Sequence, residues 1–290
     1  MPITKHVKER ILMAIISKQV KDDKMPELED RKVVEHNDLI TSIAKMDKTP
    51  LKIFELAASC IDTENPPKDN IVYLSKVELF KFFDVSDSNK HSRFKQAIEV
   101  MQKQAFFEVK EKKGKGFKYR SIVPIPTVTW NDYNDNVEIF FNPYIMPYLI
   151  DLGTKYTQYA ISDIMELNSK YSIILYKWLS MHFNQFEYYT KKGERRKEQL
   201  EEYRNPIIKV SELRIITDTE NEYKRSDHFE KWIIQTPLNE INAHSHFDVT
   251  YDKIKKGRSI DSIQFHITKK AQPQELNGEY KEREQDPAYL

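Results

Sequence analysis

The order of elements in this 290-residue chain occurs twice, with the second copy about 135 residues after the first. Each copy has a short apolar strand, a short amphipathic helix, a polar turn, a helix that begins with basic residues, and a hairpin with lysine and glycine at its turn. We call residues 71–123 the first module and residues 207–267 the second module. This order is that of a winged helix-turn-helix. It predicts an α+β protein with two tandem winged helix-turn-helix domains joined by a helical connection.

The length and composition suit two domains, each large enough to bury a core. Charged residues make up 31% of the chain and hydrophobic residues 39%, which is typical of a globular protein. We predict a flexible N-terminal arm (1–32), a first winged-helix domain (33–155), a second winged-helix domain (156–270) and a disordered tail (271–290). Met13 is an alternative start, which makes residues 1–12 an upstream extension.

Two features predict a cytoplasmic protein. The longest candidate for a leader, residues 11–16, is a six-residue apolar run without a small-residue cleavage site after it, so neither a signal peptide nor a membrane span is predicted. The single cysteine, Cys60, cannot form an internal disulfide, which agrees with a reducing compartment. Because Cys60 falls on the apolar stripe of a predicted helix, we interpret it as a structural thiol.

The basic residues cluster in the two modules although the net charge is only +1. Residues 81–120 contain 11 lysines and arginines against 5 acidic residues, and residues 223–270 contain 9 against 6. Acidic residues are concentrated near the start of the chain and in its tail. This distribution favours nucleic acid as a partner, with an ordinary solvated face as the alternative.

The beginning of a recognition helix enters the major groove, where side chains reach base edges and phosphates. In the second module the residues at and after this place are Tyr223, Lys224, Arg225, Ser226 and Lys231. A bidentate pair between an arginine such as Arg225 and guanine discriminates against other bases by about 1–3 kcal/mol. The alternative is a surface arginine that balances Asp227 and Glu230. A kink is expected in this helix at Pro237.

The hairpin of the second module carries cations around its Gly257 turn, and these suit phosphate or the minor groove. They are Lys253, Lys255, Lys256 and Arg258. Solubilising lysines on an ordinary hairpin are the alternative. The corresponding residues of the first module are Ser88, Asn89, Lys90, His91, Arg93 and Lys95 at the helix, and Lys112, Lys113 and Lys115 at the hairpin.

A long apolar periodicity between the modules predicts one helix from Ser162 to Phe186 as the helical connection. Its apolar stripe is interpreted as core rather than as a ligand pocket. Further along the chain, residues 190–204 are highly charged and predict a loop or an exposed helix.

The motifs of several enzyme classes are missing from the sequence. None of the six glycines builds a phosphate-binding loop, and there is neither a C-x-x-C nor an H-E-x-x-H motif. The nearest metal-like pattern is His244-Ser-His246, which is similar to the His-x-His of rolling-circle nickases. Those enzymes have a hydrophobic residue between the histidines, where this chain has Ser245. We therefore predict no cofactor, no metal and no catalytic activity, with a nickase as a minor alternative.

Three stretches of the chain resemble initiator (Rep) proteins of theta-replicating plasmids, particularly those of Gram-positive lactic bacteria. They read Val33-Val-Glu-His-Asn-Asp-Leu-Ile, Leu167-Asn-Ser-Lys-Tyr-Ser-Ile-Ile-Leu-Tyr-Lys-Trp-Leu, and Tyr251-Asp-Lys-Ile-Lys-Lys-Gly-Arg-Ser-Ile-Asp-Ser-Ile-Gln-Phe. The resemblance extends over about residues 33–270.

The resemblance implies a protein that binds direct repeats (iterons) in double-stranded origin DNA as a monomer. It also implies melting of an adjacent AT-rich region and recruitment of the host initiator and the replicative helicase. Dimers of such proteins often bind an inverted repeat and repress the initiator's own gene. The second module then reads most bases, through residues 223–231 and 253–258, and the first contacts DNA and forms the dimer interface between residues 106 and 141. A dedicated transcriptional repressor with the same tandem modules is the alternative.

Overall fold

A computed structural model describes residues 26–82, 90–104, 106–113, 115–131, 133–153 and 155–270. A 3-10 turn (Leu28–Asp30) precedes the elements β1 (Lys32–His36), α1 (Asn37–Ile40), β2 (Ile43–Lys45), α2 (Lys48–Ala58), β3 (Ile71–Ser75), α3 (Lys76–Phe82), α4 (Lys90–Gln104), β4 (Phe106–Lys113), β5 (Gly116–Ile122), β6 (Thr127–Trp130), β7 (Asn136–Phe140) and α5 (Pro147–Ile150). The elements that follow are β8 (Tyr156–Ala160), α6 (Ile161–Glu166), α7 (Lys170–Lys192), α8 (Lys197–Arg204), β9 (Ile207–Lys209), α9 (Val210–Ile216), α10 (Ser226–Phe229), a π-helical segment (Glu230–Gln235), α11 (Thr236–His244), β10 (Phe247–Lys256) and β11 (Ser259–Lys269).

Both modules have the predicted order of elements. In the first, β3 leads into α3, α4 and the hairpin β4–β5, and in the second, β9 leads into α9, the helix of residues 226–244 and the hairpin β10–β11. The second module forms one sheet in the order β10-β11-β9. The first part of the chain has two three-stranded sheets, β2-β4-β5 and β3-β7-β6. The predicted α+β class is confirmed.

Helix α2 supplies the centre of the first core. Its apolar residues recur at helical spacing, and Ile53, Phe54 and Leu56 are fully buried. The Phe54 ring lies edge-on to Phe107 of β4 and to Phe141, which follows β7, at centroid distances of 4.9 and 6.1 Å. The helix therefore joins the two sheets of the first domain.

The helical connection is two helices rather than the single predicted helix from Ser162 to Phe186. Helix α6 ends at Glu166 and α7 begins at Lys170, and Leu167 and Ser169 have extended backbones between them. The Ser169 hydroxyl accepts a hydrogen bond from the Tyr171 backbone N–H at 3.2 Å, which starts a new helix at this point. Helix α7 then ends at Gly193, whose φ of 70° lies in the left-handed region that glycine adopts easily.

Helix α7 packs against both domains, so its apolar stripe is core, as predicted. Trp178 and Phe183 contact Phe265 and Phe247 of the second sheet, at ring-centroid distances of 5.7 and 5.2 Å. Another face of α7 meets β8, which pairs with β1 of the first domain, and there the Tyr176 ring lies 5.8 Å from that of Tyr159. A single helix thus connects the cores of both domains.

A buried ionic cluster attaches α7 to the first domain. The Lys177 ammonium lies 2.6 Å from Glu55 Oε1 and 2.8 Å from Glu35 Oε2, and the two carboxylates are fully buried. The Tyr159 hydroxyl donates to Glu55 Oε2 at 2.6 Å. Burial, followed by the repulsion of Glu55, raises the pKa of Glu35 to about 8 although Lys177 opposes this shift. The Glu35 carboxyl therefore favours its protonated form at neutral pH.

The strand β8 pairs antiparallel with β1 along five residues, from Lys32 opposite Ala160 to His36 opposite Tyr156. This pair spans the domain boundary predicted at 155/156, and the domain limits stay a prediction.

Of the predicted arm, residues 1–25 lie outside the described residues, as does the tail 271–290. Leu28 is buried, and Arg31 is held by Glu78 at 2.5 Å.

Ser75 followed three residues later by Glu78 is the sequence pattern of a capping box. The structure has the serine cap of α3 but not the return bond from Glu78. The Ser75 hydroxyl accepts from the backbone N–H groups of Val77 and Glu78 at 3.0 and 3.3 Å. The Glu78 carboxylate does not return to Ser75, because it is engaged by both Nη atoms of Arg31.

Cys60 is half-buried, and its Sγ accepts a hydrogen bond from Arg31 Nη1 at 3.6 Å. Burial raises the pKa of the Cys60 thiol to about 11, so it stays protonated at neutral pH.

Candidate nucleic-acid interface

The recognition helix of the second module comprises residues 226–244 and presents one apolar face to the core. Phe229, Ile233, Leu238 and Ile241 are buried on that face. A π-helical segment at Glu230–Gln235 precedes Pro237, where the sequence predicts a kink. Proline lacks the N–H for an intrahelical hydrogen bond and clashes with the preceding turn. A wider turn directly before it is a known way for a helix to accommodate such an interruption.

The beginning of this helix is exposed. Lys224, Arg225 and Ser226 lie at the surface, Tyr223 is half-buried, and Lys231 is exposed one turn further on. The Arg225 guanidinium forks onto Asp227, with Nη2–Oδ2 and Nε–Oδ1 distances of 2.6 and 3.1 Å. Its side chain remains 72% exposed, so the pair is open to exchange with another acceptor. Base reading by Arg225 therefore requires that it leave Asp227.

Arg214, which sequence reasoning did not single out, holds the turn before the recognition helix. Its Nη1 donates to the carbonyl oxygens of Thr219 and Glu222 at 3.0 and 2.9 Å, and its Nη2 donates to Tyr223 at 2.9 Å. The guanidinium also lies 4.1 Å from the Phe229 ring centroid. The turn needs such support because Asp218 and Tyr223 have positive φ values of 52° and 45°. An arginine in the last turn of a short helix is the signal for a bond to free carbonyl oxygens.

The wing of the second module is bridged to the recognition helix by Glu230. The Tyr251 hydroxyl donates to Glu230 Oε1 at 2.6 Å, and Lys253 donates to the same oxygen at 3.0 Å. The hydrogen bond from Tyr251 is the largest cause that lowers the pKa of Glu230, so the carboxylate stays charged between its two partners. Lys253, predicted as a DNA contact, thus has a structural partner in the wing.

The tip of this wing carries the remaining predicted cations. Lys255, Lys256 and Arg258 are all exposed around Gly257, whose φ is 65°. The pairing register shifts between Ile254 and Lys255, so the tip departs from the regular ladder. The beginning of the recognition helix and the wing tip are thus exposed basic segments of one module, on elements that Glu230 bridges.

The structure describes the first module's candidate surface only in part. Arg93 and Lys95 are exposed on α4, whose opposite face buries Phe94, Ile98 and Met101. Lys115 is exposed beside the hairpin turn. Ser88 and Asn89 lie outside the described residues, and so do the side chains of Lys90, His91, Lys112 and Lys113.

His246, the second histidine of the His244-Ser-His246 pattern, has a structural partner. His246 Nδ1 lies 2.6 Å from Asp163 Oδ2, which also accepts from the Tyr176 hydroxyl at 2.7 Å. His246 therefore joins the second module to α6 and α7. Among the described residues, no group of three or more His, Cys, Asp or Glu side chains is placed to hold a metal ion. The helices of the described ranges also include none that is both long and apolar enough to span a bilayer.

Two modules of this kind on one helical connection define a tandem winged-helix protein of the DNA-binding class. Residues 32–180 match the family model described as initiator replication protein, WH1, and residues 209–267 match the model described as initiator Rep protein, WH2. The chain therefore belongs to the Rep family of DNA-binding replication initiators. The predicted pair of winged-helix domains is confirmed.

Two further proteins are similar to this chain. A replication initiation protein of Escherichia coli is 22% identical over 209 residues, which cover 70% of this chain and 58% of that protein. The chain thus spans little more than half the length of this curated relative. The crystal structure of Pi initiator protein in complex with iteron DNA has a TM-score of 0.64 and 16% sequence identity, covering 84% of this chain and 99% of that one. At this level of identity the likeness concerns the fold.

Proposed function

We infer that this chain initiates the replication of a plasmid by binding repeated sequences (iterons) in its origin DNA. The observation that carries the proposal is that the exposed basic segments of the second module, the beginning of the recognition helix and the wing tip, lie on elements bridged by Glu230. Family membership supports replication initiation, and the similar Pi initiator was solved on iteron DNA. Plasmids of Gram-positive lactic bacteria are the proposed origin of the chain, and the cytoplasm its place of action.

In this proposal the second module reads bases and the first adds further contacts. The proposed contacts of the second module are Tyr223, Lys224, Arg225, Ser226, Lys231, Lys253, Lys255, Lys256 and Arg258. Those of the first are Ser88, Asn89, Lys90, His91, Arg93, Lys95, Lys112, Lys113 and Lys115. Helix-end side chains would face base edges, whereas wing lysines would neutralise phosphates and release counterions.

The chain is proposed to act without a catalytic step of its own. Its glycines build no phosphate-binding loop, so strand separation would rest on binding energy and on the host initiator and replicative helicase that it recruits. Two modules bound to successive stretches of one duplex can favour a bent or locally opened form of that DNA. The contacts that this form permits offset the free-energy cost of deforming the duplex.

Self-association is proposed through the first domain. Among the described strands β5 pairs only with β4, so its other edge is available to a second copy. This edge lies within residues 106–141, where the resemblance places the dimer interface. A dimer on an inverted repeat would repress the initiator's own gene.

Footprinting of the purified chain on the DNA that flanks its own gene tests the proposed function. An initiator should protect several regularly spaced direct repeats. Protection of a single promoter palindrome would instead indicate a dedicated repressor. A nicked supercoiled origin with protein attached to a 5′ end would indicate a nickase, and nicking that persists in tyrosine variants would exclude that enzyme class.

A further inference from the structure

The turn between α6 and α7 is bound by the recognition helix of the second module. Glu240 Oε2 accepts hydrogen bonds from the backbone N–H groups of Asn168 at 3.0 Å and Ser169 at 3.2 Å. These groups stand at the beginning of a 23-residue helix, where the helix dipole favours a negative charge. Glu240 lies in α11, and its carboxylate reaches out of that helix to the turn.

The same turn is also bound by the first domain. Lys52 of α2 is only 5% exposed, and its ammonium donates to the Met165 carbonyl oxygen at 2.5 Å. Burial and the neighbouring Lys48 lower the pKa of Lys52 to about 8, while the carboxylates of Glu166 and Glu240 oppose this shift. One segment of five residues, 165–169, is therefore held by a lysine of the first domain and a glutamate of the second.

The first turn of α7 also touches the loop that leads into the recognition helix. The Tyr171 ring lies edge-on to Tyr223 at a centroid distance of 6.0 Å, and its hydroxyl donates to Glu222 at 3.4 Å. Tyr223 directly precedes the exposed Lys224 and Arg225. Contacts from one short region thus reach both the beginning and the back of the recognition helix.

We propose that Glu240 is a positioning residue that fixes the separation and angle of the two DNA-binding modules, and thereby the spacing of the half-sites that the chain recognises. The inference rests on the proposed function, since it concerns how two modules bind one repeat. Once one module is bound, a stiff connection raises the effective concentration of the other module at its DNA stretch only when the spacing of the two stretches matches that of the modules. When the Glu240 contacts are removed, the second domain keeps its own fold but loses one of its attachments to the α6–α7 turn.

Binding of Glu240→Ala to duplexes of different spacing tests the proposal. The duplexes are the natural repeat, repeats with one to three base pairs inserted between the two protected stretches, and the second module's stretch alone. The wild type should bind the inserted repeats much more weakly than the natural one. Glu240→Ala should bind the natural repeat about tenfold more weakly than the wild type does. It should bind the inserted repeats as well as it binds the natural one, and its affinity for the single stretch should equal that of the wild type. Glu240→Gln, which keeps one acceptor oxygen, should be intermediate.

Glu202→Ala is the matched control, because it removes one exposed carboxylate from α8, away from the turn. It should keep the wild-type spacing profile. A second measurement needs no DNA: spin labels on Ser121→Cys and Ser259→Cys, in a Cys60→Ser background, report the distance between the modules. The distance distribution should broaden in Glu240→Ala and stay narrow in the control.

The outcomes separate the two proposals. A wild-type chain that prefers no repeated DNA overturns the proposed function, whereas the label distances still show whether Glu240 holds the domains. If the wild type binds repeats but Glu240→Ala keeps its spacing profile or its label distances, the positioning role is refuted and the proposed function stands.

Discussion

The two modules have the same order of elements but use the strand before their helix-turn-helix differently. In the second module β9 pairs with the wing strand β11, so the wing and the strand that leads into α9 belong to one sheet. In the first module β3 pairs with β7 along five residues, and the wing takes β2 as its third strand. Because precise reading needs rigidly supported side chains, this difference favours the second module as the main reader.

A second difference lies at one position, three residues after the serine at the start of each short helix. In the second module this residue is Arg214, which holds its own turn through three carbonyl oxygens. In the first module it is Glu78, which forks with Arg31 ahead of β1. The repeated pattern thus fixes the order of elements, while single side chains decide what each copy is attached to.

The largest effect is expected where the first domain is attached to α7. Lys177→Met should lower the free energy of unfolding by about 3–5 kcal/mol, because it leaves Glu35 and Glu55 buried without their cation. Urea unfolding measures this, with Lys192→Met on the exposed end of the same helix as the control that should change little. An unchanged midpoint for Lys177→Met would mean that the cluster is not buried in solution.

Removal of the Arg214 side chain, which holds the turn before the recognition helix, should affect the second module alone. Arg214→Ala should lower the free energy of unfolding by about 1–3 kcal/mol, since three carbonyl oxygens lose a charged donor. It should also weaken binding to the cognate repeat more than to random DNA. Arg214→Lys keeps the charge but not the fork and should recover only part of both. Equal binding losses on both DNAs would argue against a role in placing the reading residues.

Base reading should differ between the modules. Replacing Lys224 or Arg225 by alanine should weaken binding to the cognate repeat about 10- to 100-fold and to random DNA much less. The matched change in the first module, Lys95→Ala, should weaken both DNAs by a similar, smaller factor. Competition binding with cognate and random duplexes measures the ratio, and equal losses for Arg225→Ala on both would refute base reading there.

The wing of the second module should act mainly through phosphates. Replacing Lys255 and Lys256 together should weaken all DNA similarly and reduce the slope of log affinity against log salt by about two units. The double change at the exposed Lys115 and Lys118 of the first module is the comparison, and a smaller reduction is expected there. An unchanged slope for the first double variant would place that wing off the DNA.

A dependence of stability on pH is expected to arise in the first domain. The ordinary pKa of a glutamate is 4.5, and that of Glu35 is raised to about 8 by burial. Between these values the folded protein keeps a proton that the unfolded chain releases, so the free energy of unfolding falls as the pH rises. The contribution is complete below pH 4.5 and lost above about pH 8. Glu35→Gln should abolish this slope in urea unfolding, and a slope that persists would assign it to other groups.

Much of the fold could be predicted from local patterns. The glycine at the turn of the β10–β11 hairpin and the serine cap of α3 depend on neighbouring residues only, and the structure has both. The break between α6 and α7 is not visible in the sequence because the apolar periodicity continues through Leu167. In the structure, the Ser169 hydroxyl caps the start of α7, and Glu240, from a distant segment, binds the Ser169 backbone N–H.

The candidate site was predictable in its exposed part only. Charge and position in the repeat are enough to locate Lys224, Arg225 and the wing-tip cations. The supporting roles of Arg214 and Glu230 could not be predicted from the sequence. Arg214 binds backbone carbonyl oxygens across a turn, and Glu230 binds side chains on another element. The stretches that carry the family resemblance have a physical meaning as well, since Glu35 and Lys177 form the buried cluster.

A hydroxyl-radical footprint of the wild-type chain on a duplex with a single repeat tests the tandem arrangement most directly. Two modules that grip neighbouring turns of one double helix should protect two patches on the same face, about one helical turn or 10 base pairs apart. Protection of one patch only, unchanged when the first module's exposed cations are replaced, would show that one module binds alone and would contradict the tandem arrangement.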